Sequence, residues 1–163
     1  MLTRVSQTQL YNYVGGLSGE WPVTIEGSPY TISTRYTYAS TPIQKATRYA
    51  HDYFLSLGLQ TDYDYYSFAG YERRNVMAQQ VGVGQPNRIF LVTAHMDSYS
   101  GAPYSLAPGA DDNASGSVAV MHIADILRDY QFDCTVRYVL FTGEEQGLYG
   151  SYYYAQDMYN QGQ

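Results

Sequence analysis

Three short stretches hold most of the side chains that could bind a metal or move a proton. The first is Ala94-His95-Met96-Asp97-Ser98, which closes an otherwise apolar run. His95 and Asp97 are two residues apart, so in an extended chain they point to the same side. A histidine that ligates a metal usually donates its other ring nitrogen to a carboxylate, and Asp97 is placed to receive it. The second stretch, residues 107–116, sets the adjacent acids Asp111 and Asp112 ahead of a helix that opens with small residues. An acidic helix cap would account for one of these acids but not for both. The third, Gly143-Glu144-Glu145-Gln146-Gly147, puts paired acids between glycines. Each stretch alone is weak evidence, since each could be a solvated turn. Together they offer carboxylate oxygens and an imidazole nitrogen, a donor set that suits zinc and less often manganese or cobalt.

The elements around these stretches place all three at strand ends. Residues 88–94 and 135–142 read as continuous apolar strands of the kind buried on both faces. Helices are expected from about residue 115 to 130 and from 149 to 159. The order strand, loop, helix, strand, loop, helix describes a right-handed crossover unit in a parallel sheet. Ligands of open parallel sheets bind beyond the carboxyl ends of the strands, and all three stretches lie there. Upstream, Ser6 and Gln9 resemble a capping box that opens a helix from Gln7 to about Val14, with Gly15 and Gly16 to stop it. Residues 18–41 read as loop with a short strand or hairpin. Thr41 as cap and Pro42 as first residue open a second helix, whose apolar positions Ile43, Ala46, Ala50, Phe54 and Leu57 run up to Gly58. Strands are expected at 59–67 and 75–81. The glycines at 82 and 84 fit a tight turn better than a phosphate loop. His51 and His122 fall on helices and read as structural.

Composition narrows the function classes. The 163 residues are 45% hydrophobic and 16% aromatic, enough for a sizeable core. Net charge is −6 with no basic run, which argues against nucleic acid and anionic membrane surfaces as partners. The single cysteine, Cys134, excludes an internal disulfide. No apolar stretch approaches the roughly 20 residues that span a bilayer. The first residues lack the apolar core of a signal peptide. The 20 tyrosines against 9 Lys and Arg are compatible with a secreted protein. Asn113-Ala114-Ser115 fits the glycosylation pattern, but a glycan there would block the loop, so the match reads as coincidental. Neither a nucleophile elbow nor a P-loop is present.

The three stretches, in this order and spacing, resemble the bacterial leucyl aminopeptidase type of co-catalytic zinc peptidase. Glutamate carboxypeptidase II, glutaminyl cyclases and the transferrin receptor share that superfamily. The resemblance covers about residues 40–163. It implies a three-layer α/β/α fold with a mixed, mostly parallel sheet, incomplete on the C-terminal side. Residues 1–40 would form an N-terminal helix and loop segment, and residues 41–163 the first part of the catalytic domain. Carried over position by position, it implies that His95 ligates one zinc, Asp111 bridges two, and Glu145 ligates the other. Asp97 would orient His95. Glu144 would be the general base and acid for a water activated between the zincs, and a cis peptide is expected beside Asp112. Peptides would be the substrates, cleaved at their amino termini. Two further ligands of the family, an Asp and a His, would lie beyond residue 163, leaving a sheet edge exposed and open to self-association. A secreted or periplasmic address is expected for the full-length protein. Three alternatives share the scaffold: a non-catalytic binding domain, an inactive fragment and a glutaminyl cyclase.

Overall fold

The computed structural model describes residues 2–162; Met1 and Gln163, the outer bounds of the two expected segments, lie outside the described residues. Helix α1 spans Gln7–Leu17, and its first turn is capped by Ser6 Oγ, which accepts from Gln9 N at 3.3 Å. Gly15 and Gly16 do not stop this helix. A Cβ on Gly15 would sit 2.2 Å from the Trp21 indole, and one on Gly16 2.7 Å from Val23. The two glycines are there to admit the returning chain, so the helix continues to Leu17. That chain forms a short antiparallel pair, β1 (Val23–Ile25) with β2 (Ser28–Tyr30).

Helix α2 spans Ser40–Ser56 and buries Ile43, Ala46, Thr47, Ala50 and Phe54. Its N-cap is Ala39, two residues before the expected Thr41, and makes no side-chain cap bond. Strands β3 (Gln60–Phe68) and β4 (Tyr71–Gln80) form a hairpin in register from Gln60↔Gln79 to Phe68↔Tyr71. Its two-residue turn has Ala69 at φ 53° and Gly70 at φ 79°, the double positive φ that matches the twist of paired strands. Strand β5 (Gln85–His95), helix α3 (Gly116–Leu127), strand β6 (Cys134–Phe141) and helix α4 (Tyr149–Asn160) follow.

The main sheet has the order β3-β4-β6-β5. It is mixed, as expected, but of the three pairings only β5 with β6 is parallel. The parallel share is therefore smaller than the motifs implied. Strand β6 is central and buried from Thr135 to Leu140. Strand β5 is not central. It stands at the edge of the described sheet, with Phe90 and Leu91 each about half exposed (53% and 51%). An apolar run records that a strand's faces suit burial; it does not record whether a second strand lies beside it.

Successive residues of β6 face opposite layers. Tyr138 stacks on Phe54 of α2 at 6.2 Å, whereas Arg137 Nη1 donates to Tyr154 Oη of α4 at 2.9 Å. Helices α2 and α3 thus cover one face and α4 the other, giving three layers. Leu17, Ile25 and Ile32 belong to the same core cluster as Phe54, Val76, Met121 and Tyr138. Residues before 40 share that core rather than forming one of their own. Among the described residues no helix is long and apolar enough to cross a membrane.

Candidate metal centre

The parallel pair β5–β6 carries the site at its carboxyl end. His95 is the last residue of β5, and Met96 N continues the ladder by donating to Phe141 O at 2.8 Å. Strand β6 ends at Phe141, and the chain turns at Gly143 with φ 76°. A Cβ there would lie 2.7 Å from the Tyr66 hydroxyl, so this tight turn favours glycine on both counts. Glu144 and Glu145 follow directly. The third strand-end segment, Ala110–Ser115, is a wide turn broken at Asp112 (φ −115°, ψ 96°) and Asn113 (φ −135°, ψ 52°), with a cis peptide between them.

His95, Asp112 and Glu145 each place one donor atom within 4.8 Å of the others. His95 Nε2 is 3.1 Å from Asp112 Oδ1, and Nδ1 is 3.6 Å from Asp97 Oδ1 and 3.8 Å from Glu144 Oε2. Nε2 therefore faces the acids at the mouth, while Nδ1 faces the carboxylate beneath. Asp97 is fully buried and Asp112 is 77% exposed, so the site is graded from a dry floor to a wet mouth.

Asp97 is held by three donors. Thr37 Oγ1 donates to Oδ2 at 3.0 Å, and the backbone N–H groups of Glu144 and Glu145 donate to Oδ1 and Oδ2 at 3.2 Å each. A buried carboxylate is tolerated when it is hydrogen-bonded in this way. The same bonds fix the Glu144-Glu145 backbone against β5. Burial lowers the pKa of His95, but Asp97, Glu144 and Asp112 together outweigh it and leave the imidazole above its ordinary 6.5. Burial, then Asp112, Asp97 and Glu144, push the Glu145 carboxyl above its usual range. Clustered acids of this kind raise one another's pKa, and a cation relieves the repulsion.

The structure brings together His95, Asp97, Glu144 and Glu145 of the expected set. It does not bring in Asp111. That side chain is exposed, and its backbone carbonyl accepts from Ser115 Oγ at 2.7 Å. Asp112 stands with His95 and Glu145 instead. The reason is local: the extended backbone at Asp112 swings its carboxylate toward His95, and nothing in the order Asp-Asp announces which acid turns inward. Neither acid caps α3. The N-cap is Ser115, which makes no side-chain cap bond, while Asn113 Oδ1 accepts from Gly116 N at 2.8 Å. Thr37 was not singled out in the sequence, where it is one hydroxyl among many in residues 31–41. His122 is structural, with Nε2 accepting from Ser6 N at 3.3 Å. His51 stacks on Tyr63 at 4.5 Å, and Cys134 is a free thiol at the start of β6.

An imidazole nitrogen and two carboxylate oxygens, with His95 Nδ1 buried and lacking a hydrogen-bond partner, fit a zinc ion. Residues 75–163 match the model of Peptidase family M28, and the chain belongs to that family. Over 89 residues it is 42% identical to a probable zinc metalloprotease of Pyrenophora teres f. teres, a stretch covering 53% of this chain and 18% of that protein. It is 36% identical over 84 residues to leucine aminopeptidase 2 of Trichophyton rubrum, covering 52% and 16%. The chain thus spans less than a fifth of the length of these fungal relatives. The match supports the family and not the narrower bacterial leucyl type. The fold is similar to that of the Legionella pneumophila LapA aminopeptidase, with TM-score 0.75, 16% identity, and 99% of this chain and 41% of that chain covered. For an aminopeptidase from Aneurinibacillus sp. strain AM-1 the values are 0.73, 15%, 95% and 67%.

Proposed function

We propose that this chain carries the catalytic loops of a zinc aminopeptidase that hydrolyses amino-terminal residues from peptides. The reading is carried by the convergence of His95, Asp112 and Glu145 at the carboxyl end of β5 and β6, with Glu144 alongside. The relatives named as zinc metalloprotease and leucine aminopeptidase support it. When bound, zinc supplies Lewis-acid polarisation of the scissile carbonyl and acidifies the attacking water. His95 would offer Nε2 as ligand, and Asp97, 3.6 Å from Nδ1, is the carboxylate placed to orient the ring. Asp112 would hold metal together with His95 and Glu145, the part first expected of Asp111. Glu144 takes the proton of the water that attacks the carbonyl carbon and returns it to the departing amine. Each catalytic zinc normally takes three protein ligands, a requirement the assay below puts to this chain directly.

The test is hydrolysis of an aminoacyl chromogenic amide by the chain, with chelator and zinc add-back. Zinc-restored turnover is expected. A chain that takes up no zinc sinks the reading. Cyclisation of an N-terminal glutamine peptide without cleavage would replace the peptidase by a cyclase.

A further inference from the structure

One buried cation lies beneath the site with no carboxylate in contact among the described residues. Arg35, on the segment between β2 and α2, is fully buried. Among the described residues its guanidinium donates only to backbone carbonyls. Nε reaches Met96 O at 2.6 Å, Nη1 reaches Leu17 O at 2.5 Å and Pro108 O at 2.7 Å, and Nη2 reaches Gly109 O at 2.8 Å. Its own backbone N donates to Ser98 Oγ at 3.2 Å. Met96 lies between His95 and Asp97, and Gly109 opens the turn that delivers Asp112. One planar group therefore spans two of the three loops.

Two residues on, Thr37 does the same for the third loop. Its hydroxyl donates to Asp97 and accepts from Gly143 N at 2.9 Å, just ahead of Glu144 and Glu145. The clearance is tight as well: a Cβ on Gly109 would meet Asp112 O at 2.3 Å and Arg35 Nη2 at 3.0 Å. Burying a cation is costly without countercharge, and burial lowers the Arg35 pKa to about 10. Asp97, Asp112 and Glu145 act in the opposite sense, so the acids of the site hold this charge at a distance. An apolar side chain in this position would leave the carbonyls of Leu17, Met96, Pro108 and Gly109 without this donor.

We propose that Arg35 is a positioning residue of the metal centre: its fork of donors sets the distance between His95 and Asp112, and Thr37 sets Glu144-Glu145 against both. Neither touches substrate or metal. The assignment rests on the zinc-peptidase reading only for the identity of the ion. A lysine keeps the charge but cannot reproduce the fork, which makes Arg35→Lys the informative variant.

Cobalt(II) in place of zinc gives an absorption spectrum that reports ligand geometry. Titrating it into the wild-type chain, Arg35→Lys and Thr37→Val separates the possibilities. Arg35→Lys is expected to lose about tenfold to a hundredfold in cobalt affinity and Thr37→Val about tenfold, both with shifted bands, the usual scale for residues that orient ligands. Circular dichroism identifies any variant that has unfolded, and the folded one then decides. Wild-type affinity and an unchanged spectrum in the folded variants would overturn the assignment while leaving the metal site standing. A wild-type chain that takes up no cobalt removes the metal site and the assignment together.

Discussion

The floor and the mouth of the site are built from different chemistry. The floor, Arg35, Thr37, Asp97, Ser98 and Thr142, is buried, and its polar atoms are paired with one another or with backbone. The mouth, Asp112, Glu144 and Glu145, is partly exposed, and among the described residues its acids have no cationic side-chain partner other than His95. The floor satisfies itself and so belongs to the fold. The mouth is left unsatisfied and so belongs to a ligand. Stability and activity should therefore separate by layer.

The sharpest separation is expected at Glu144. Glu144→Gln removes a proton carrier from the mouth and should lower turnover about 10²–10⁴-fold. Its melting temperature should stay within the small range of surface changes, which differential scanning fluorimetry reads. Asp97→Ala should do the reverse first. It strips the acceptor from Thr37 and two backbone N–H groups in a dry environment, a loss of about 3–5 kcal/mol in urea unfolding. If Asp97→Ala unfolds like wild type, the floor is not structural and the comparison fails. Asp112→Asn should weaken zinc binding at least about tenfold, by the usual cost of losing a charged ligand or its orienting partner. Asp111→Asn should leave it unchanged, and competition with a chromogenic chelator compares the two. The reverse order would restore Asp111 to the bridging place.

The smallest effect concerns pH. Zinc takes the unprotonated imidazole, and His95 holds its proton more tightly than an ordinary histidine of pKa 6.5. Binding should therefore be full at alkaline pH and fall about tenfold per unit once pH drops through a midpoint above 6.5. Glu145, raised above its ordinary 4.5, adds a second loss at lower pH. A midpoint below 6.5 would mean that burial, not the acids, governs His95.

Much of this was legible in the residues, and unevenly so. Periodicity located α2, α3, α4 and the strands of the main sheet, because apolar spacing reports which faces are buried. It could not place β5 at the edge, since edge and centre differ by a neighbour rather than by a face. It also misread Gly15 and Gly16, whose role is set by Trp21 and Val23 packing against them from outside the helix. The grouping of His95, Asp97, Glu144 and Glu145 could be read because their loops follow paired strands. The choice between Asp111 and Asp112 turns on two backbone dihedral pairs. Arg35 and Thr37 are contacts of tertiary origin, and a lone Arg in a Thr- and Tyr-rich stretch gave no periodic signal.

The span of those contacts has a kinetic consequence. Thr37 and Asp97 are 60 residues apart in the chain, Arg35 and Gly109 are 74 apart, and Thr37 and Gly143 are 106 apart. Closing such long loops is entropically expensive and slows folding. Because its contacts join such distant parts of the chain, the centre should be among the late features to form on refolding, which pulsed hydrogen exchange at Glu144 and Glu145 N–H would read. The family match begins at residue 75, yet the floor depends on residues 35 and 37. A chain nicked between residue 38 and β5 would keep every motif of the site but lose the covalent tether that returns its keystone.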